Sequence, residues 1–396
     1  MTPYRHQVEI ATQALAKLRE YGLVYLAMEE RTGKTLTAIL TVENSLAKNC
    51  LVITKKRALD GWNDTLAKYK PTKKFDVINY HSLHKLQHGD YDIIILDESH
   101  AYLSKYPKPG TIWKNVALFT KKKPIIYLSA TPSAQSYSLL YHQFKLSSWS
   151  PWAAYTTFYK WHKEYGIERT RFIGGRQFKE YNHTQEDRVW NECKHLFIKY
   201  TRKELGFEHE PTDELHFVKL TDYTRKLYRE LEEKSIIKVG DVEIVADTPM
   251  STLTKLHQIE GGTVKFEEEI YELENQEKID YIKENWGDTE DLVIFYHYIG
   301  EKAKLEKHFK KAQILQATSY AEGVDLSMYE HLVVYSMNFS TAQYTQRRAR
   351  QANMKRETPI KVHFILVENA ISHQVYKTVA VNKKNFVDKY YTKGLV

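Results

Sequence analysis

A series of short apolar runs limits what this chain can fold into. "GLVYLAM" (22–28), "CLVIT" (50–54), "FDVINY" (75–80), "YDIIILDES" (91–99) and "KPIIYLSATP" (123–132) occur in the first part. "DLVIFYHY" (291–298), "AQILQAT" (312–318), "HLVVYSM" (331–337) and "IKVHFILV" (360–367) occur in the last. Each has the length of a strand and is apolar almost throughout, as a strand covered on both faces must be. Amphipathic stretches lie between them: residues 4–20, "TLTAILTVENSLAK", "ALDGWNDTLAKY", "KIDYIKENW", "EKAKLEKHFKKA" and "STAQYTQRRARQA". Strands alternating with helices predict an α/β protein with parallel sheets and helices on both faces.

The rhythm breaks in the middle and divides the 396 residues into three expected regions, 1–146, 147–215 and 216–396. The middle one, "SWSPWAAYTTFYKWHKEYG" onward, carries Trp152, Tyr155, Tyr159 and Trp161 near a helical stripe, which reads first as core packing. "ERTRFIGGRQFKEY" reads as a hairpin turning at Gly174-Gly175, with the cations Arg169, Arg171, Arg176 and Lys179. A second hairpin is expected at Gly240-Asp241 in "SIIKVGDVEIVAD".

Charge narrows the partners. Lys and Arg number 58 against 50 Asp and Glu, a formal net charge of +8, which suits a polyanion such as nucleic acid. Cys50 and Cys193, the two cysteines, provide neither a disulfide framework nor a zinc site, and a reducing cytoplasm is expected. No apolar run approaches the roughly 18 residues of a membrane span, so no membrane partner is expected. "MTPYRHQVEIATQAL" has no apolar signal core, which argues against secretion.

Three stretches of the first region carry chemistry in a sensible order. "LAMEERTGKTLTAI" brings an apolar strand into Gly33-Lys34-Thr35 at a helix start. Backbone amides and the helix dipole favour an anion there, Lys34 can reach terminal phosphates, and the Thr35 hydroxyl can sit on Mg²⁺. The tripeptide alone is weak, because Met28 occupies the place of the usual first glycine of a P-loop. "IIILDESHA" ends an apolar strand in Asp97-Glu98, at the edge where α/β sheets bind ligands. Asp97 is expected to hold the metal and Glu98 to deprotonate an attacking water. "YLSATP" places Ser129 and Thr131 after another strand, where their hydroxyls are expected to sense nucleotide state by hydrogen bonding toward such carboxylates, although the stretch alone is weak.

The last region offers "QYTQRRARQ", where Gln343, Arg347 and Arg350 share one helix face. Two arginines aimed at one place suit phosphoryl transfer, where such groups contribute roughly 10³–10⁵ in rate. A basic surface helix on nucleic-acid backbone is the plainer reading of the same residues.

Taken in order, "YRHQ", "EERTGKT", "LVITKKRALDGW", "VINYHSL", "LDESHA", "LSATP", "LVIFYHY", "TSYAEGVDL" and "QYTQRRARQ" resemble the motif series of superfamily-two helicases and translocases. Within that superfamily the chain is most similar to Swi/Snf-type DNA-dependent ATPases, in a compact bacterial or phage-like version. The resemblance rests also on "MEERTGKT", on "FIKYTRKEL" as a basic linking segment, and on "STLTKLHQIEGG" as a Leu-rich helix. It implies two RecA-like parallel-sheet lobes in tandem with a helical and hairpin insertion between them. It implies ATP and Mg²⁺ as cofactors. By resemblance Gln7 reads adenine with Tyr4 nearby, and Gly323 and Asp325 lie near the nucleotide. Asp97-Glu98 with His100 becomes a DExH box in which His100 couples, together with Ser129, Thr131 and Gln343. Arg347 and Arg350 become the finger pair, and Arg202 joins the hairpin cations as a candidate DNA contact. Two departures stand out: Gln346 where many helicases have glycine, and Arg31 in place of a small loop residue.

The expected function is therefore DNA-dependent ATP hydrolysis coupled to translocation, with unwinding or branch remodelling open. DNA, duplex or branched, is the expected partner of a monomeric protein in the cytoplasm, the host's if phage-encoded. The alternatives are an RNA-directed helicase, a nucleic-acid-binding scaffold with weak ATPase activity, and an unrelated P-loop phosphotransferase.

Overall fold

The computed structural model describes residues 1–86, 89–173, 176–206, 211–317, 329–341, 344 and 361–382, with backbone only at 171–173, 176, 178 and 249. The chain forms two units, the first built on Met1–Leu205 and the second on Gly206–Lys384.

In the first unit β1 (Leu23–Met28), β2 (Asn49–Thr54), β3 (Lys74–Asn79), β4 (Ile93–Asp97), β5 (Ile125–Leu128) and β8 (Phe197–Tyr200) form one sheet, ordered β3-β2-β4-β5-β1-β8. Every pairing in it is parallel. All six residues of β1 are buried, because period-two alternation sends them to two covered faces. Val24, Leu26 and Met28 pack with α1 (Arg5–Tyr21), α2 (Lys34–Glu43) and α3 (Leu59–Tyr69). Leu23, Tyr25 and Ala27 face α4 (Ser99–Leu103), α5 (Thr111–Thr120), α6 (Ser138–Phe144), α7 (Phe158–Tyr165) and α8 (Glu186–Cys193). Fully burying one such aliphatic side chain contributes about 1.5–3 kcal/mol, so this strand alone anchors the lobe.

The segment expected between the lobes divides between them. Trp152, Phe158, Trp161, Tyr165, Val189 and Trp190 belong to the first unit's core. Trp152 and Trp161 are buried, whereas Tyr159 is exposed. The helix starts only at Phe158, where the Thr157 hydroxyl accepts from the Lys160 N–H, so Trp152 and Tyr155 precede it. β8, inside "FIKYTRKEL", pairs with β1. The basic hairpin β6 (Arg169–Ile173) and β7 (Arg176–Glu180) is antiparallel. Its register sets positions 169, 171 and 176 on one face of the ribbon and 179 on the other.

In the second unit β9 (Thr212–Val218), β14 (Leu292–Tyr296), β15 (Gln313–Gln316), β16 (His331–Val334) and β17 (Lys361–Val367) form a parallel sheet ordered β15-β14-β16-β17-β9. One face packs with α9 (Asp222–Lys234) and α10 (Pro249–Glu260), the other with α11 (Glu277–Trp286) and α12 (Ile299–His308). The hairpin β10 (Ile236–Val239) and β11 (Val242–Val245) turns where the glycine-aspartate pair predicts, and a further hairpin joins β12 (Thr263–Phe266) to β13 (Glu269–Glu272). Two parallel α/β units in tandem are what two RecA-like lobes require.

Candidate functional site

The candidate nucleotide loop begins where β1 ends. Met28, in the place of the usual first glycine, is the last residue of that strand and is fully buried. The chain then turns through two left-handed residues, Arg31 (φ 65) and Gly33 (φ 85), before α2 starts at Lys34. The Thr32 hydroxyl closes the turn by donating to the Glu29 carbonyl at 2.7 Å. Gly33 is needed twice over: its φ is positive, and a Cβ there would lie 2.0 Å from Gln7 Nε2. Gln7 is buried, accepts from the Tyr4 N–H at 2.9 Å, and donates to the Gly33 carbonyl at 3.4 Å. The glutamine thus fastens the N-terminal helix to the loop. Tyr4 is 67% exposed and stacks on His6, which stacks on Tyr200. Lys34 Nζ donates to the Met28 and Glu29 carbonyls at 2.8 and 3.1 Å, and Thr35 follows it in the first turn of α2.

The acidic pair stands at the end of β4. Asp97 Oδ2 accepts from the Thr54 hydroxyl at 2.6 Å and from Trp62 Nε1 at 2.9 Å, while Tyr80 donates to its carbonyl at 2.8 Å. Bonds of this kind to an ionised carboxylate are stronger than neutral ones and fix its direction. Glu98 turns left-handed (φ 50), which places strain at the residue expected to act as base. Burial, then the charge of Asp97, pushes its carboxyl up to about 7; Lys55 and Lys34 oppose the rise. Its Oε1 lies 4.0 Å from Lys55 Nζ and its Oε2 3.5 Å from His100 Nδ1. Among the described residues Glu98 Oε2 and both carboxylate oxygens of Glu30 have no hydrogen-bond partner. The buried Glu98 oxygen without a hydrogen-bond partner, near a lysine folded back on carbonyls, fits a hydrated cation accompanied by phosphate, so the residues suit Mg²⁺ and ATP.

His100 stands between the acid and the next strand. Its Nδ1 lies 2.7 Å from Ser129 Oγ, and that hydroxyl accepts from the Thr131 N–H at 3.0 Å. Burial, reinforced by Lys55 and Lys34, holds the imidazole down at about 4, so it is neutral at pH 7. Hydrogen bonds therefore link His100, Ser129 and Thr131, and Glu98 Oε2 stands 3.5 Å from the same imidazole nitrogen without bonding to it.

Beneath this path lies a buried polar cluster that motif reading misses. Gln143 Oε1 accepts from the Tyr25 and Ser99 hydroxyls at 2.7 and 2.9 Å. Its Nε2 donates to the Pro132 and Leu139 carbonyls, each at 2.9 Å, and its own carbonyl accepts from Tyr127. One side chain thus ties β1, the residue after Glu98, and the turn after β5. Thr54, Trp62 and Tyr80 were also missed as partners of Asp97, although they lie in stretches the motif series includes; for Thr54 and Tyr80 the position at or just after a parallel strand end is the signal, whereas Trp62 reaches Asp97 from within α3.

The expectation for Arg202 is corrected. It is 5% exposed, its guanidinium lies 3.9 Å from Glu29 and 3.8 Å from Glu30, and its backbone N–H donates to the Glu29 carboxylate at 2.7 Å. Charge placed beside two loop acids is held inward, so Arg202 braces the loop instead of presenting a DNA-contacting surface. Arg169 and Lys179 are exposed on the hairpin. Gly323, Asp325, Gln343, Arg347 and Arg350 lie outside the described residues, as do Gln346 and the Gly174-Gly175 turn.

Residues 65–134, which hold Asp97, Glu98, His100, Ser129 and Thr131, match the family model of the type III restriction enzyme, res subunit. Among solved structures the chain is similar to the Sulfolobus solfataricus SWI2/SNF2 ATPase core domain, at 15% identity over 98% of this chain and 92% of that one, with a TM-score of 0.44. No curated protein matches it in sequence. No helix among the described residues is long and apolar enough to cross a membrane.

Proposed function

We propose that the protein hydrolyses ATP with Mg²⁺, that DNA stimulates the hydrolysis, and that the reaction drives movement along DNA. The observation that carries this reading is the hydrogen-bonded chain from His100, beside Glu98, through Ser129 to Thr131. A hydrolase needs only the acid and the loop. A hydrogen-bonded chain that starts at the imidazole beside the acid and reaches a second strand end suits the coupling of hydrolysis to a conformational change. The matched family is named for a restriction-enzyme subunit, which favours DNA over RNA.

In this reading Lys34 withdraws from the Met28 and Glu29 carbonyls to meet the terminal phosphates. Asp97 and Thr35 hold the metal, with Asp97 aimed by Thr54 and Trp62. Glu98, raised to about 7 by burial, accepts the proton of the attacking water near neutral pH. Gln7, with Tyr4, recognises the base. When bound, ATP supplies the phosphoanhydride bond and Mg²⁺ neutralises its charge. Gln343, Arg347, Arg350, Gly323 and Asp325 keep the roles their motifs imply, the arginines as the finger pair. Arg169, Arg171, Arg176 and Lys179 are proposed to contact DNA backbone, so binding should weaken steeply with salt.

ATP turnover measured with single-stranded, duplex, forked and four-way DNA and with RNA tests the reading. Stimulation by DNA above all is expected. Equal turnover with and without every nucleic acid would overturn it, and stimulation by RNA alone would transfer it to the RNA-directed alternative.

A further inference from the structure

The second sheet brings three ligand-bearing side chains together far along the chain from the nucleotide loop. β9 and β17 pair in parallel with Glu214 opposite His363 and His216 opposite Ile365. Glu214, His216 and His363 therefore share one face of the sheet, the face on which Val218 and Ile365 pack with Ile279 and Ile282 of α11. His216 Nε2 lies 3.0 Å from His363 Nδ1, and Glu214 Oε2 lies 3.3 Å from the same nitrogen. One ligand atom from each residue falls within 4.8 Å of the others.

Those separations are close to what an ion requires. Zinc bonds of about 2.0–2.1 Å in a tetrahedron hold ligand atoms about 3.3 Å apart. The Glu214 side chain is 36% exposed, which leaves its carboxylate room to turn toward the two rings. The neighbours suit a ligand set. Tyr281 OH lies 3.0 Å from His216 Nδ1, so that nitrogen is engaged and Nε2 faces the cluster. Trp286 lies 4.7 Å from the His363 ring and 5.4 Å from that of His216, forming an apolar wall. Lys361 pairs with Glu214 through Oε1 at 2.5 Å, which leaves Oε2 for an ion. A pair of imidazoles with one carboxylate is borderline-soft and suits zinc-class ions over Mg²⁺.

We propose that Glu214, His216 and His363 bind a zinc-class divalent ion that clamps the edge strand β9 to β17, with water as fourth ligand. His363 and Glu214 stand near the starting ends of their strands, whereas α/β sheets use the opposite ends for reaction chemistry, so the ion's role is structural. The clamp would secure the strand with which the second sheet begins in sequence.

The test uses the full chain, stripped with a chelator and kept in excess Mg²⁺ without nucleotide. Calorimetric titration with Zn²⁺ should give one tight site, Co²⁺ should give the visible spectrum of tetrahedral cobalt, and Zn²⁺ should raise the melting temperature. His363→Gln and Glu214→Gln should each abolish the cobalt spectrum, and Tyr281→Phe should weaken zinc binding about 10–100-fold. Because the chain has 17 histidines, binding that these variants leave unchanged would place the ion elsewhere and overturn the proposal, as would no tight binding at all. Should His363→Gln fail to fold, the half-exposed Glu214 and the tyrosine still decide. ATPase activity does not enter these readouts, so a failure here is distinct from a failure of the proposed function.

Discussion

Lys34 in the first unit and Lys304 in the second both rest their ammonium groups on backbone carbonyls, yet the two differ in what is left unsatisfied around them. Lys304 is 1% exposed and donates to the Gly262, Leu273 and Asn275 carbonyls at 3.1, 2.6 and 2.6 Å. All three of its protons are used, and a Cβ on Gly262 would lie 2.4 Å from its Nζ. Lys34 uses two carbonyls, in a loop with two left-handed residues. Near it, Glu98 keeps a buried oxygen with no hydrogen-bond partner among the described residues and a carboxyl pushed up to about 7. A buried charge whose bonds are complete is a staple; one set among incomplete partners and strained backbone marks chemistry.

The largest expected effect separates the two lysines by function. Lys34→Ala should lower ATP turnover about 10²–10³-fold, the loss typical of removing one transition-state stabiliser. Its unfolding free energy should stay within about 1 kcal/mol of the parent, which a urea titration checks. Lys304→Met should do the reverse, costing about 3 kcal/mol of stability in the same titration because three buried carbonyls lose a charged donor. If Lys304→Met were neutral, the staple reading would fail.

Ser129→Ala sharpens the comparison within the first unit. It cuts the path between His100 and Thr131 and should cost about 1 kcal/mol of stability. DNA stimulation of turnover should fall about fivefold or more, while basal turnover should stay close to that of the parent. The smallest effect concerns Arg31. Arg31→Gly removes a side chain from left-handed backbone and should raise stability by up to about 1 kcal/mol in thermal melts.

The central strands were legible because burial on both faces leaves almost uninterrupted apolar letters, as in "LVYLAM" and "IIILD". Two of the four edge strands, β8 and β9, were not. β9, "TDELHFV", is mostly exposed or half-exposed along its length, and β8 carries Lys199 and Tyr200, so neither shows that signal. The candidate site residues stood out as motifs because each sits within a few residues of its neighbours in sequence. Their supports were not, since Trp62, Tyr80 and Gln143 meet Asp97, Ser99 and Pro132 only after the sheet has ordered its strands. Arg202 was misread for a related reason: a sequence gives a charge but not the acids folded against it.

Turnover of ATP by Glu98→Gln in saturating duplex DNA addresses the central claim most directly. The substitution keeps shape and burial but removes the base, so hydrolysis should fall about 10²–10⁴-fold with ATP binding retained. Hydrolysis at the parent's rate would contradict the assignment of Glu98 and, with it, the site built around the acid.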